Sequence, residues 1–278
     1  MISLVYNIAS EIAEYDLISA AKQEPSRTHL SGLRPNVNPH YDDYLNNFNT
    51  IHGIGANPFS AEESTELKNC YENPTGALNN LKARLTDAQS PTFKLLCPYC
   101  LIINHSTFDH YIPKENHPVY SVFAKNLIPC CQQCNGKKLQ YWREAGERAI
   151  IHFYNDVVPQ TIFLYCDITF NANVPILNFR LTFPEGFNAV EQLKIIRHFS
   201  RLGLIDRYDE NAAKVLSDID TDIKSLEGFE PSSADVKNFL NRKANELSVK
   251  CGVNYWYAIA YRCLAASDLY INNLLGVA

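Results

Sequence analysis

Two short cysteine pairs limit what this chain can fold into more than any other feature. Cys97 and Cys100 stand in "CPYC", Cys131 and Cys134 in "CQQC", and thirty residues separate the pairs. A C-x-x-C turn presents two sulfurs to one point, and two such turns offer the four thiolates that tetrahedral zinc binds at about 2.3 Å. The fold must therefore bring the two turns together and close the intervening residues as a loop. Cys130 competes with Cys131 for the site, but only Cys131 makes the two-residue gap to Cys134. Cys70, Cys166, Cys251 and Cys263 are isolated in sequence and read as buried structural thiols.

The odd total of nine cysteines argues against a disulfide framework. The opening "MISLVYNIASEIAEYDLISAAKQ" lacks the basic start and unbroken apolar run of a signal peptide. No stretch approaches the roughly 18 consecutive apolar residues of a membrane span. The expectation is a cytoplasmic chain with reduced thiols and no membrane partner.

Charge is distributed unevenly. Of 25 basic and 30 acidic residues, the window from 82 to 148 holds nine basic and five acidic, a balance of +4; the remainder, 16 against 25, carries -9. The positive charge collects around the cysteine pairs, so a polyanion is expected to meet the chain there rather than over its whole surface.

Three regions follow along the chain. Residues 1–90 read as short helices; "SAEESTELKNCYE" opens with Ser60 as N-cap and Glu63 in capping-box position, and "NPTGALNNLKARLTDAQ" starts after the Asn73-Pro74 break. Residues 91–155 hold the cysteine pairs. Residues 156–278 begin with "TIFLYCDITF" and "PILNFRLTF", which alternate as the two strands of a hairpin, and continue as four amphipathic helical segments, the last being "NYWYAIAYRCLAASDLYINNLL".

Between and just beyond the cysteine pairs lie "FDHYIP", with Asp109 and His110, then Asn126 in "NLIPCCQQCNGKK", and Asn135, Lys137 and Lys138 after the last cysteine. In these residues the chain resembles the zinc-stapled HNH, or ββα-metal, endonucleases. The resemblance covers about residues 97 to 145, with four elements in order. It implies an α+β protein: a mostly helical chain with a central zinc-stapled ββα-metal module at 91–155 and a β-hairpin beyond it. Asn126 matches the family position that orients the catalytic region.

The chemistry of the residues fits those roles. Phosphodiester cleavage needs a base that activates water and a cation that neutralises charge on phosphate. His110 titrates near neutrality and suits the base. Asp109, with the amide oxygen of Asn135, suits a hard divalent ion, Mg2+ or Mn2+, separate from the structural zinc. Side chains alternate along a strand, so adjacent Asp109 and His110 serve one phosphate only from a strand end or bend; Pro113 marks such an end. "NLIPC" is expected to return as the second strand, and a helix from about Gln132 to carry Asn135 in its first turn. Lys137 and Lys138, with Lys125 and Arg143, are the candidate phosphate contacts.

Other polar residues read more plainly. His117 and His105 are expected as solvated loop histidines, His198 as packed or capping, and the aromatic run from Tyr255 to Tyr261 as core. Two functions compete: a metal-dependent DNA endonuclease, and a zinc-stapled nucleic-acid-binding or scaffold protein without hydrolytic activity. Asp109, His110 and Asn135 discriminate, because a staple needs none of them. HNH modules with helical flanks also resemble nuclease subunits of bacterial anti-phage systems of the Septu type, which implies a partner ATPase.

Overall fold

Capping signals written in the sequence set many of the element boundaries in the computed structural model, which describes residues 3–224 and 231–276. Helix α1 (Glu11–Ala20) starts where Ser10 accepts from Ala13 N. Helix α3 (Ala61–Glu72) starts at the reciprocal Ser60–Glu63 capping box, and α4 (Gly76–Asp87) at Thr75. Between α1 and α3 lies α2 (Ser26–Asn46), 21 residues with Pro35 and Pro39 inside it. This differs from the expected run of short helices. Leu30, Leu33, Val37, Tyr41 and Tyr44 are buried at helical spacing, and packing along that face outweighs the two lost backbone donors.

Strand β1 (Thr107–His110) pairs antiparallel with β2 (Leu127–Cys130), with Asp109 opposite Ile128 and His110 opposite Leu127. Helix α5 (Gln132–Lys138) follows at once, so the expected strand-strand-helix order is present. A two-residue pair, β3 (Arg143–Glu144) and β4 (Glu147–Arg148), closes this stretch. The connection from β1 to β2 is pinned to α2 by rings: Tyr41 and Tyr44 lie 4.4 and 4.7 Å from Phe123, and Tyr44 lies 5.3 Å from Tyr120.

The hairpin of β5 (Leu164–Asn171) and β6 (Val174–Leu181) turns at Ala172 and Asn173, both at positive φ, the geometry a two-residue turn demands. It is followed by α6 (Ala189–Leu202), α7 (Leu204–Lys224), α8 (Ser233–Cys251), α9 (Trp256–Ala265) and α10 (Asp268–Leu275). The last expected helix is thus two, because Ser267 caps a new start by accepting from Tyr270 N. Trp256, Ile259, Ala260, Tyr261 and Leu264 of α9 are buried, so one face of the aromatic run is core, as expected, while Tyr255 and Tyr257 are half-buried.

The chain divides into two compact units rather than three regions. Residues 3–99 and 103–157 form one; residues 158–276 with 100–102 form the other. The N-terminal helices and the strand-strand-helix stretch therefore share a unit. In the second unit Cys166 of β5 and Cys263 of α9 are neighbours and both are half-buried, a correction to their reading as isolated, buried thiols. Cys70 and Cys251 are buried. No helix among the described residues is long and apolar enough to cross a membrane.

Candidate metal centre and adjoining polar site

Four thiols converge as the spacing requires. The sulfurs of Cys97, Cys100, Cys131 and Cys134 all lie within 4.8 Å of one another and all four residues are buried. Tetrahedral Zn–S bonds of about 2.3 Å hold sulfurs about 3.8 Å apart, so this cage fits one zinc ion. Cys131 is also the N-cap of α5, its sulfur accepting from Cys134 N at 3.3 Å. Cys130 stays outside the cluster, and burial pushes its thiol far up. Four protein ligands leave no open position, which suits a structural ion rather than a catalytic one.

Asp109 and His110 occupy the end of β1 and are both buried. Their side chains meet different neighbours, as strand alternation demands. The Asp109 carboxylate accepts from Tyr99 Oη at 2.8 Å and from Lys138 Nζ at 3.1 and 3.0 Å on its two oxygens. Lys138 Nζ also donates to the His110 carbonyl at 2.9 Å. Lys138, expected at the phosphate, is instead 0% exposed and tied to Asp109 across the strand-helix junction. Its burial follows from spacing: Cys134 and Lys138 are four apart on α5 and point to the same interior face.

His110 lies on the side of α3. Its Nε2 is 2.8 Å from Ser121 O, and since a carbonyl only accepts, Nε2 carries the proton and Nδ1 holds the basic lone pair. The Tyr71 ring covers the imidazole edge-on at 4.3 Å, and Tyr71 Oη donates to Phe108 O at 3.2 Å. Burial lowers the His110 pKa to about 3, so the ring is neutral at physiological pH. Tyr71, Tyr99 and Ser121 had no signal in the sequence; only Tyr99, inside a cysteine turn, stood near a motif.

Asn126 is fully buried, directly before β2, and joins both ends of the connection. Its Oδ1 accepts from Ile112 N at 2.7 Å, and its Nδ2 donates to Ile112 O at 2.9 Å and Tyr120 O at 3.1 Å. Asn135 is half-buried in the first turn of α5, with no side-chain hydrogen bond among the described residues. Lys137 is exposed; Lys125 is half-buried, 5.2 Å from the Tyr6 ring. Arg143 is exposed and donates to His52 O at 2.7 Å and Ile54 O at 3.3 Å. His105 binds Lys94 O at 2.7 Å, and His198 is buried as expected. His117 is also buried, which corrects its reading as a solvated loop residue.

The chain is similar to Protein ea31 of Escherichia phage lambda, 26% identical over 222 residues that span 75% of this chain and 74% of that protein. No family model matches the chain, and no solved structure matches it.

Proposed function

We propose that this chain is a metal-dependent endonuclease of the HNH type that hydrolyses DNA. The observation that carries the reading is the stapled strand-strand-helix stretch: Asp109 and His110 end β1, Asn126 directly precedes β2, and Asn135 lies in the first turn of α5 directly after the last cysteine. A zinc staple alone calls for none of these four side chains.

His110 acts as base through Nδ1, because Nε2–H is committed to Ser121; burial weakens the ring as a base, and opening of the site to water returns it toward the near-neutral range the role needs. Asp109 and Asn135 would hold Mg2+ or Mn2+, offering the oxygen donors a hard cation takes. A divalent ion bound there supplies charge neutralisation at the phosphate and the leaving oxygen. Asp109 already faces Lys138, so binding the ion requires the ammonium to yield one carboxylate oxygen. Asn126 is a positioning residue, fixing the connection that carries Ser121. Lys137, exposed beside this stretch, is a candidate phosphate contact.

The burial of Asp109 and His110 and the cover of Tyr71 support a nuclease opened by a partner, and the acidic balance outside residues 82 to 148 disfavours tight DNA binding by the chain alone. A partner ATPase in anti-phage defence is the proposed context. The test is a plasmid-cleavage assay with and without Mg2+ or Mn2+, alone and with any protein encoded beside the chain. His110→Ala should lose about 100- to 10,000-fold in rate with zinc content unchanged. Asp109→Ala should lose activity that excess metal partly restores. Wild-type cleavage by the His110 variant refutes the assignment and favours the binding or scaffold reading.

A further inference from the structure

A second polar cavity, distinct from the strand end that carries Asp109 and His110, lies within the same compact unit. Its volume is about 410 Å³, in the range of small-molecule sites, and its walls come from the end of α2, the loop at residues 50–58, and His117 and Val119 of the connection from β1 to β2. His117 is 6% exposed, and neither its ring nor that of half-buried His40 makes a side-chain hydrogen bond among the described residues. Two histidine rings therefore line one cavity with nitrogens that make no hydrogen bond among the described residues. The loop is held from outside: Arg143 donates to the carbonyls of His52 and Ile54, and Tyr120 Oη donates to His40 O at 3.3 Å.

The lining selects the chemistry of the occupant. No lysine or arginine lines the cavity and Asp43 does, so a phosphate is disfavoured inside. A zinc ion is disfavoured as well, because zinc takes three or four protein ligands and among the described residues only the four cysteines bring three or more together. Ile51 and Val119 supply apolar wall. Asn47 Nδ2 donates to Asp43 Oδ1 at 2.7 Å, which leaves Asp43 Oδ2 and Asn47 Oδ1 as acceptors. Burial lowers the pKa of His117 to about 4 and also lowers that of His40, so each ring is neutral and offers one donor and one acceptor.

We infer that this cavity binds a nucleobase bearing an exocyclic amino group, the amino group donating to Asp43 and the neighbouring ring nitrogen accepting from a histidine N–H. Adenine and cytosine present such an edge; thymine presents a carbonyl in place of the amino group. The base belongs either to a nucleic-acid strand or to a free nucleotide. In the first case the inference deepens the nuclease reading and rests on it. His117 lies seven residues after His110 on the same connection, so a base seated there adds sequence context to cleavage.

The zinc-loaded full chain should be titrated calorimetrically with adenosine, thymidine, and short single-stranded oligonucleotides of adenine or of thymine. Adenine ligands should bind about tenfold more tightly than thymine ligands, as expected for roughly one lost hydrogen bond. Asp43→Asn should remove the preference, and His117→Leu should weaken adenine binding about tenfold at unchanged zinc content. Binding of the oligonucleotide but not the nucleoside assigns a base within a strand; comparable binding of both assigns a free nucleotide. Equal binding of adenine and thymine ligands overturns the inference, and so does an Asp43→Asn variant that keeps the preference. That variant is isosteric and at the surface, so it remains informative should His117→Leu fail to fold. Base preference without cleavage under any divalent metal sinks the nuclease reading alone. Cleavage without base preference sinks the cavity alone.

Discussion

Replacing Lys138 by methionine leaves the Asp109 carboxylate buried against Tyr99 without its cation. In the wild type the ammonium contacts both carboxylate oxygens and the His110 carbonyl, at 2.9 to 3.1 Å, with the side chains of Lys138 and Asp109 at 0% and 3% exposure. Water cannot take over for either partner at that depth. Removing one member of a buried pair costs about 3–5 kcal/mol, against about 1 kcal/mol or less for a pair on a protein surface. A domain holds only about 5–15 kcal/mol in total, so the loss is severe. With a urea slope of about 1–3 kcal/mol per molar, the midpoint of unfolding of the zinc-loaded chain should fall by at least about 1 M. Asp109→Asn combined with Lys138→Met should recover much of the loss, because the uncompensated charge is gone and Tyr99 keeps an oxygen to donate to. A cost below about 1 kcal/mol for Lys138→Met, or losses of the two single variants that simply add, would refute the reasoning.

Other consequences are as direct. Cys134→Ser should abolish stoichiometric zinc by elemental analysis and unfold the strand-strand-helix stretch by hydrogen exchange, since zinc binding is folding free energy here; a variant that keeps zinc and protection contradicts it. Burial raises the Glu11 carboxyl from 4.5 to about 8, although Ala124 N donates to it at 2.9 Å. Its neutral form therefore adds stability that is full below pH 4.5 and lost as pH rises through about 8, and Glu11→Gln should flatten the decline in melting temperature between about pH 4.5 and 8. Burial lowers His152 from 6.5 to about 3, with Tyr44 Oη 3.0 Å from its Nε2. Here the stability is full above pH 6.5 and lost as pH falls toward 3, so melting at pH 7 should exceed melting at pH 5 by a margin that His152→Gln reduces.

What the sequence by itself determined is the local part. A C-x-x-C turn, a capping box and a two-residue hairpin are closed by residues within four positions of one another. The cysteine cage, the starts of α3 and α4, the β5–β6 hairpin, and the passage from β1 through β2 to α5 were accordingly legible. The same applies to the place of Asp109 and His110 at a strand end and of Asn135 in the first turn of a helix. Tertiary packing decided the rest. Lys138 was readable as a surface cation until Asp109, twenty-nine positions away, turned out to face it. His117 looked solvated until α2 and the loop at residues 50–58 closed around it, and α2 runs through two prolines because its buried face repays the broken ladder. Cys166 and Cys263 were unrelated thiols until β5 lay along α9. Spacing encodes contacts closed by a few backbone dihedrals, whereas burial and pairing across dozens of residues depend on which faces meet, and that is settled only when the whole core packs.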